Sequence, residues 1–312
     1  MALLVSSRLL AVQTVPPEDN TIVFMPQWTA QAQFTGYYVA EAKGFYREAG
    51  VKVKIEHPSS TQPAFTRLCN NQCQATTLQL CQALEIIGNG TPLVNILQTS
   101  MNNAMVIVSA RGKNPLKQKG ARVGIWSTGF GHLAICMSIK DHLNYEWVPF
   151  AQNVNLFISG ALDATLAMSY NEYFQLVQAG IEMKDENVYR FCNHGYNVQE
   201  DGLYMTREYY ESHREEARRF AQASRKGWEW AAKHPEEALS IVMQYVEKNH
   251  ISSNRVMQKL MLQEVLRLQI DRESKKREFR LRPDMVRMAS QLMVEHHMLN
   301  REVSYAELMP QK

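Results

Sequence analysis

The chain has 312 residues, 45% of them apolar and 21% charged, enough to bury one large core or two medium ones. Its 34 Lys and Arg against 31 Asp and Glu leave a net charge of +3, which is too small to call for a nucleic-acid partner. No apolar run approaches the roughly 20 residues of a membrane-spanning helix, and five cysteines, an odd number, argue against a closed disulfide framework.

Residues 1-20 hold apolar stretches interrupted by Arg8, and read either as a tail or as the remnant of an export signal. Thr21 to Met25 then reads as a strand and Ala32 to Ala49 as one amphipathic helix stopped by Gly50. Val51 to Ile55 alternates with period two. A helix over Gln62 to Asn70 leads to a strand at Ala75 to Leu78, and a helix over Leu80 to Gly88 leads to a strand at Leu93 to Gln98. Such alternation predicts an α/β fold with mostly parallel sheets covered by helices on both faces.

After a strand at Met105 to Ala110, the polar segment Arg111 to Gly120 marks the expected passage into a second α/β unit. Its strands are expected at Ala121 to Trp126, Glu146 to Phe150, Asp163 to Met168 and Val188 to Cys192. Helices are expected at Gly131 to Leu143, Asn153 to Ser159 and Glu172 to Ala179. A strand at Asp201 to Met205 returns to the first unit. From Glu208 the pattern is helical, with a fresh start at His234-Pro235. The expected organisation is therefore lobe one at 21-110 plus 202-312, lobe two at 111-201, a two-crossing hinge between them, and a helical C-terminal segment.

Ligands of open parallel sheets sit beyond the carboxyl ends of the strands. That rule selects Gln27, Trp28, Gln31, Gln33 and Phe34 after the first strand, Gln79 after the third, and Ser127-Thr128-Gly129-Phe130-Gly131 after Trp126. Tyr170, Asn171, Glu172 and Tyr173 follow Met168. An indole flanked by amide side chains suits stacking on a flat polar ring, unless Trp28 merely covers a core end. The Ser127 to Gly131 turn offers free amides to an anionic or carbonyl group. A carboxylate among rings, as at Glu172, can accept from an amino-substituted heterocycle; the alternative is a first-turn acid favoured by the helix dipole. Tyr196 lies near the second crossing, as hinge or cleft rim, and Glu200 and Asp201 read equally well as surface charges.

Signatures of chemistry are few. The chain has no GxGxxG run, Walker lysine, nucleophile elbow or HExxH motif. Cys69, Cys73 and Cys81 fit no zinc module and read as small buried thiols, so neither metal nor cofactor is expected. The basic run Lys275 to Arg282, broken by Glu278, reads as a solvated helix end or hairpin.

Gln27-Trp28-Thr29, the block Ala32-Gln33-Phe34-Thr35-Gly36-Tyr37-Tyr38-Val39-Ala40 and Lys43 to Gly50 resemble the opening of substrate-binding proteins for nitrate, sulfonates, taurine and thiamine-pyrimidine precursors. Gly160 to Ala164, Gly227 to Ala231 and His234 to Ala238 add to the likeness, which runs from about residue 21 to 270. The Trp-Thr opening and Asn171-Glu172-Tyr173 are most similar to the thiamine-precursor branch, which includes formylaminopyrimidine-binding proteins and a eukaryotic pyrimidine synthase. The resemblance implies a periplasmic-binding-protein type II fold, with Trp28 and Tyr170 or Tyr173 stacking on an aminopyrimidine and Glu172 meeting its ring nitrogen and amine. Tyr37 falls within the matched opening and is expected at the site with the others. The resemblance further implies an ABC importer permease as partner and a periplasmic or membrane-anchored, extracytoplasmic location. A monomer without enzymatic activity is expected. The synthase carries a cysteine-rich motif; Asn193 to Gly202 holds no cysteine here, which leaves the pyridoxal-phosphate-dependent enzyme, and binding of a sulfonate, nitrate or riboflavin, as the alternatives.

Overall fold

The computed structural model describes residues 20–59, 62–110, 112–127, 130–150 and 154–310. Residues 1–19 of the N-terminal segment lie outside them. The first stretch runs β1 (Thr21–Met25), α1 (Thr35–Ala42), α2 (Phe45–Glu48), β2 (Lys52–Ile55), α3 (Ala64–Cys69), β3 (Ala75–Gln79), α4 (Leu80–Gly88) and β4 (Leu93–Gln98). The single helix expected over Ala32 to Ala49 is instead a 3-10 turn followed by α1 and α2. The break falls at Gly44, whose φ of 76° lies in the left-handed region that a side chain disfavours.

Next come β5 (Met105–Ser109), β6 (Arg122–Trp126), α5 (His132–Lys140), β7 (Glu146–Phe150), α6 (Asn155–Ile158), β8 (Ala164–Met168), α7 (Glu172–Gln178) and β9 (Val188–Arg190). The chain returns through β10 (Asp201–Thr206) into α8 (Arg207–Ser212), α9 (Arg214–Lys233), α10 (Pro235–Lys248), α11 (Arg255–Leu268), α12 (Pro283–Glu295) and α13 (Tyr305–Leu308). Pro235 opens α10 from its first position, where a missing N–H costs nothing.

The strands form two five-stranded sheets, in the orders β2-β1-β3-β10-β4 and β7-β6-β8-β5-β9. Neither is wholly parallel: β10 runs antiparallel between β3 and β4, and β5 antiparallel between β8 and β9. The antiparallel strands are the two that cross over. A chain leaving one sheet at its carboxyl edge enters the other at the facing carboxyl edge, and must run backwards through it. The first crossing therefore lies at 99–104, ahead of β5, and not in the polar segment after Ala110; β5 belongs to the second sheet.

Period-two alternation places Met105 and Ile107 of β5 in the main core, while Val106 and Val108 fill a smaller core with Leu176 and Phe157. Burial on both faces explains why β5 reads as one apolar run. On the first sheet, α1 crosses α9 at near backbone contact: a Cβ on Gly36 would lie 2.2 Å from the Trp228 ring, and one on Gly227 would lie 2.0 Å from the Gly36 carbonyl oxygen. The C-terminal helices do not stay with lobe one alone. α11 packs on both α7 and the Ala32–Phe34 turn, and α12 on both α4 and α5, so each touches structure from both sheets.

The two crossings run side by side and are bonded together. The Glu200 carboxylate accepts from Asn103 Nδ2 at 2.9 Å and from the Ala104 N–H at 2.8 Å, and Asn197 Oδ1 accepts from the Asn103 N–H at 2.9 Å. Glu200 is buried, so it is a hinge tie and not a surface charge. Burial, reinforced by Asp201 beside it, pushes its pKa well above the ordinary carboxylate range.

Candidate functional site

The facing carboxyl edges of the two sheets border a cavity whose empty space, counted out to the solvent, is ≈ 340 Å³. Gln27, Trp28, Gln31, Gln33 and Gln79 come from the first-sheet side. Trp126, Phe130, Met168, Tyr170, Asn171 and Glu172 come from the second. Each group follows or ends a parallel strand, because strand ends are where backbone direction delivers loops to a common rim.

Trp28 meets Phe130 edge to face across the cleft, with ring centroids 5.6 Å apart. The Trp28 carbonyl is held from behind by His57 Nδ1 at 2.7 Å, while His57 Nε2 lies 2.9 Å from the Tyr38 hydroxyl. A carbonyl only accepts, so Nδ1 carries the proton and the Tyr38 hydroxyl donates to Nε2. Burial holds the His57 pKa down to about 4, opposed by the bond to Trp28. A base whose folded pKa lies below its free value of 6.5 stabilises the fold above that value, and the stabilisation is lost as pH falls towards 4. His57→Gln is therefore expected to flatten the acid side of the stability curve between about pH 6.5 and 4. The wild-type loss it removes there amounts to at most about 3 kcal/mol, measured by urea unfolding at each pH. An unchanged slope in the variant would assign the acid sensitivity elsewhere.

Glu172 sits at the first turn of α7, where the helix dipole favours an acid. Its carboxylate accepts from the Met168 N–H at 2.9 Å, Asn171 Nδ2 at 3.1 Å and Trp126 Nε1 at 3.3 Å. Burial raises its pKa, and those three donors together with its own backbone N–H oppose the rise. Opposite it, Asp201 at the start of β10 accepts from Gln27 Nε2 at 3.0 Å and Gln33 Nε2 at 2.6 Å. Both amide nitrogens are thus turned to Asp201. Gln31 Nε2 donates to Gln33 Oε1 at 2.7 Å, whereas Gln27 Oε1 has no partner among the described residues. A buried amide oxygen without a donor, on the wall of a cavity, is an acceptor offered to whatever fills it. Burial raises the Tyr170 phenol well above its usual range, and Asp201, Glu200 and Glu172 raise it further. No lysine, arginine or histidine is among the described lining residues.

Of the residues expected at a site, Gln27, Trp28, Gln33, Gln79, Phe130, Tyr170, Asn171 and Glu172 line this cavity. Thr128 and Gly129 lie outside the described residues. Four others are set apart from it. Tyr37 is packed into the core between Phe24, at 4.6 Å, and Trp228, at 5.8 Å, because it lies on the inner face of α1. Phe34 is likewise buried, 5.9 Å from His57. Tyr173 points into a different groove under Arg190, and Tyr196 packs near Phe191 with Lys140 over its ring. Trp126 and Met168 were not expected; they are the last residues of their strands, where the final side chain already reaches the rim. In sequence Asp201 looks equally like a surface charge, and only the direction of β10 reveals that its first residue starts in the cleft.

The sequence matches the family described as NMT1/THI5 like over residues 31–238. It is 22% identical over 252 residues to a formylaminopyrimidine-binding protein of Halalkalibacterium halodurans, covering 75% of this chain and 74% of that one. Among solved structures, the alkanesulfonate-binding protein SsuA of Xanthomonas axonopodis pv. citri superposes with a TM-score of 0.68 at 12% identity, covering 95% of this chain and 100% of the other. The periplasmic aliphatic sulphonate binding protein SsuA of Escherichia coli superposes with a TM-score of 0.67 at 12% identity, over 94% and 93% of the two chains. The two mixed sheets with crossing antiparallel strands are the α/β, periplasmic-binding-protein type II architecture that those structures share.

Proposed function

Because the chain belongs to the NMT1/THI5-like family, we propose that it is a solute-binding protein that clamps an amino-substituted heterocycle, of the thiamine-pyrimidine-precursor kind, for delivery to an ABC importer. The observation that carries this reading is the balance of the cavity wall. Aromatic faces at Trp28, Phe130, Trp126 and Tyr170 accompany a free acceptor, Gln27 Oε1, and the buried Glu172 carboxylate, with no cationic side chain among the described lining residues. A sulfonate or nitrate brings only acceptors and negative charge, and would meet Glu172 and nearby Asp201 unpaired. An aminopyrimidine brings N–H donors and a flat ring. No lysine stands on the described wall to hold an aldehyde cofactor, which weighs against the synthase alternative.

The mechanism follows from the two crossings. Ligand touching both sheets stabilises the closed arrangement over an open one, and a membrane permease can read that difference. This reading places the protein outside the cytoplasm, beside its importer.

The test is a titration of the purified chain with 4-amino-5-hydroxymethyl-2-methylpyrimidine, its formylamino analogue, taurine and nitrate, followed by calorimetry and melting temperature. The aminopyrimidines are expected to raise the melting temperature in a saturable way while taurine and nitrate do not. Saturable binding of taurine or nitrate with none of either pyrimidine would overturn the assignment.

A further inference from the structure

A second groove, with ≈ 790 Å³ of empty space, opens beside the hinge. The 168–174 segment separates it from the cavity: Met168, Tyr170 and Glu172 line the cavity, while Ser169 and Tyr173 line the groove. Three arginines and one carboxylate stand on its walls. The carboxylate is already neutralised. Glu264 accepts from Arg267 Nε at 2.6 Å, Arg267 Nη2 at 2.7 Å and Ser169 Oγ at 2.6 Å.

Neither of the other two guanidinium groups forms an ion pair among the described residues, although Arg190 is close enough to Glu264 to help hold its pKa down. Arg272 donates to the Cys192 carbonyl at 2.9 Å, the Cys192 sulfur at 2.8 Å and Asn193 Oδ1 at 3.3 Å. Those bonds fix its plane without an opposing carboxylate. The Arg190 guanidinium lies over the Tyr173 ring at 5.0 Å and makes no hydrogen bond or ion pair among the described residues. A guanidinium over an aromatic face is attracted by the ring without using its N–H donors, which leaves them for an anion.

We propose that this groove is a second binding site, distinct from the ligand cavity, for an oxyanion of the phosphate class held between Arg190 and Arg272. Two unpaired cations in one concavity match a dianion better than a monoanionic carboxylate or a halide. Charge-assisted bonds from guanidinium to phosphate oxygens are also among the strongest available to a protein surface. The anion would come either as the free ion or as a phosphomonoester whose organic part occupies the remaining space. The site is independent of what fills the cavity.

The experiment compares melting temperatures of the full chain in sodium phosphate, phenyl phosphate and sodium chloride at equal ionic strength. Phosphate is expected to give a saturable rise of roughly 2–5 °C over chloride at tenfold its half-saturating concentration. Arg190→Gln is expected to raise that concentration about tenfold, and Arg190→Gln combined with Arg272→Gln to abolish the rise. Tighter binding of phenyl phosphate identifies the ester as the source, and weaker binding the free ion. The single variant keeps the test decisive should loss of Arg272 loosen the 192–193 turn, because Arg190 bonds to nothing whose loss would disturb the fold. A rise matched by chloride, or one unchanged in Arg190→Gln, overturns the proposal.

Discussion

Gly227→Val is expected to lower the unfolding free energy by at least about 3 kcal/mol, and to shift the urea midpoint accordingly without altering the fold of whatever protein remains native. The reason is where the new atoms would go. The first of them would stand 2.0 Å from the Gly36 carbonyl oxygen and 3.0 Å from both Ala40 N and Ala40 Cβ, so the obstacle is backbone, which no rotamer change moves aside. Relief requires α9 to withdraw from α1, and Trp228, buried beside it and packed on Tyr37, would be drawn out with it. Interiors are packed too densely to absorb such a shift locally. Arg225→Ala, on the exposed face of the same helix, is the control and should cost well under about 1 kcal/mol. A loss equally small for Gly227→Val would mean that the two helices slide apart freely.

Trp28→Ala is expected to weaken aminopyrimidine binding by roughly thirty- to a hundredfold while leaving the melting temperature of the free protein within a few degrees. Removing the ring takes away both apolar burial against the ligand and a stacking face, together about 2–3 kcal/mol, and each 1.4 kcal/mol is about a factor of ten. Trp28 is only partly buried in the free protein, and its anchoring contact to His57 runs through its carbonyl, which the substitution keeps. Calorimetric titration reads the first effect and thermal unfolding the second. Wild-type affinity in the variant would remove Trp28 from the site; a collapsed melting temperature would instead mean that the ring supports the lobe.

Much of the architecture was legible because its strands are short apolar runs separated by helical periodicity, and β1, β3, β4, β6 and β8 are buried well enough to read that way. Strand direction was not legible. Met105-Val106-Ile107-Val108 has the same composition whether it ends one sheet or begins the next, and only its pairing with β8 and β9 decides. The composition shift after Ala110 was a real change of character, yet it marked a surface turn and not the passage between sheets. The site was partly legible for the same reason: a rule about strand ends finds Gln27, Trp28 and Glu172 whenever parallel strands are found. It cannot separate Phe34 from them, since a ring packed into the core and one on a cleft wall look alike in sequence. Asp201 escaped because a lone acid at a strand start resembles a surface charge until the strand is known to begin in the cleft. The Gly227-Trp228 pair, which carried part of the family resemblance, records a helix crossing and not a ligand contact.

The exchange of β5 and β10 also sets an order of completion. The five strands of the second sheet lie in one unbroken stretch, 105–190, so that sheet can finish its hydrogen bonding once Arg190 has left the ribosome. The first sheet cannot. Its β3 and β4 are not neighbours, and the slot between them stays empty until Asp201–Thr206 arrives. Until then two unpaired strand edges stand open, the kind of edge that other chains can capture. The half of the molecule that is synthesised first is therefore the half that is finished last.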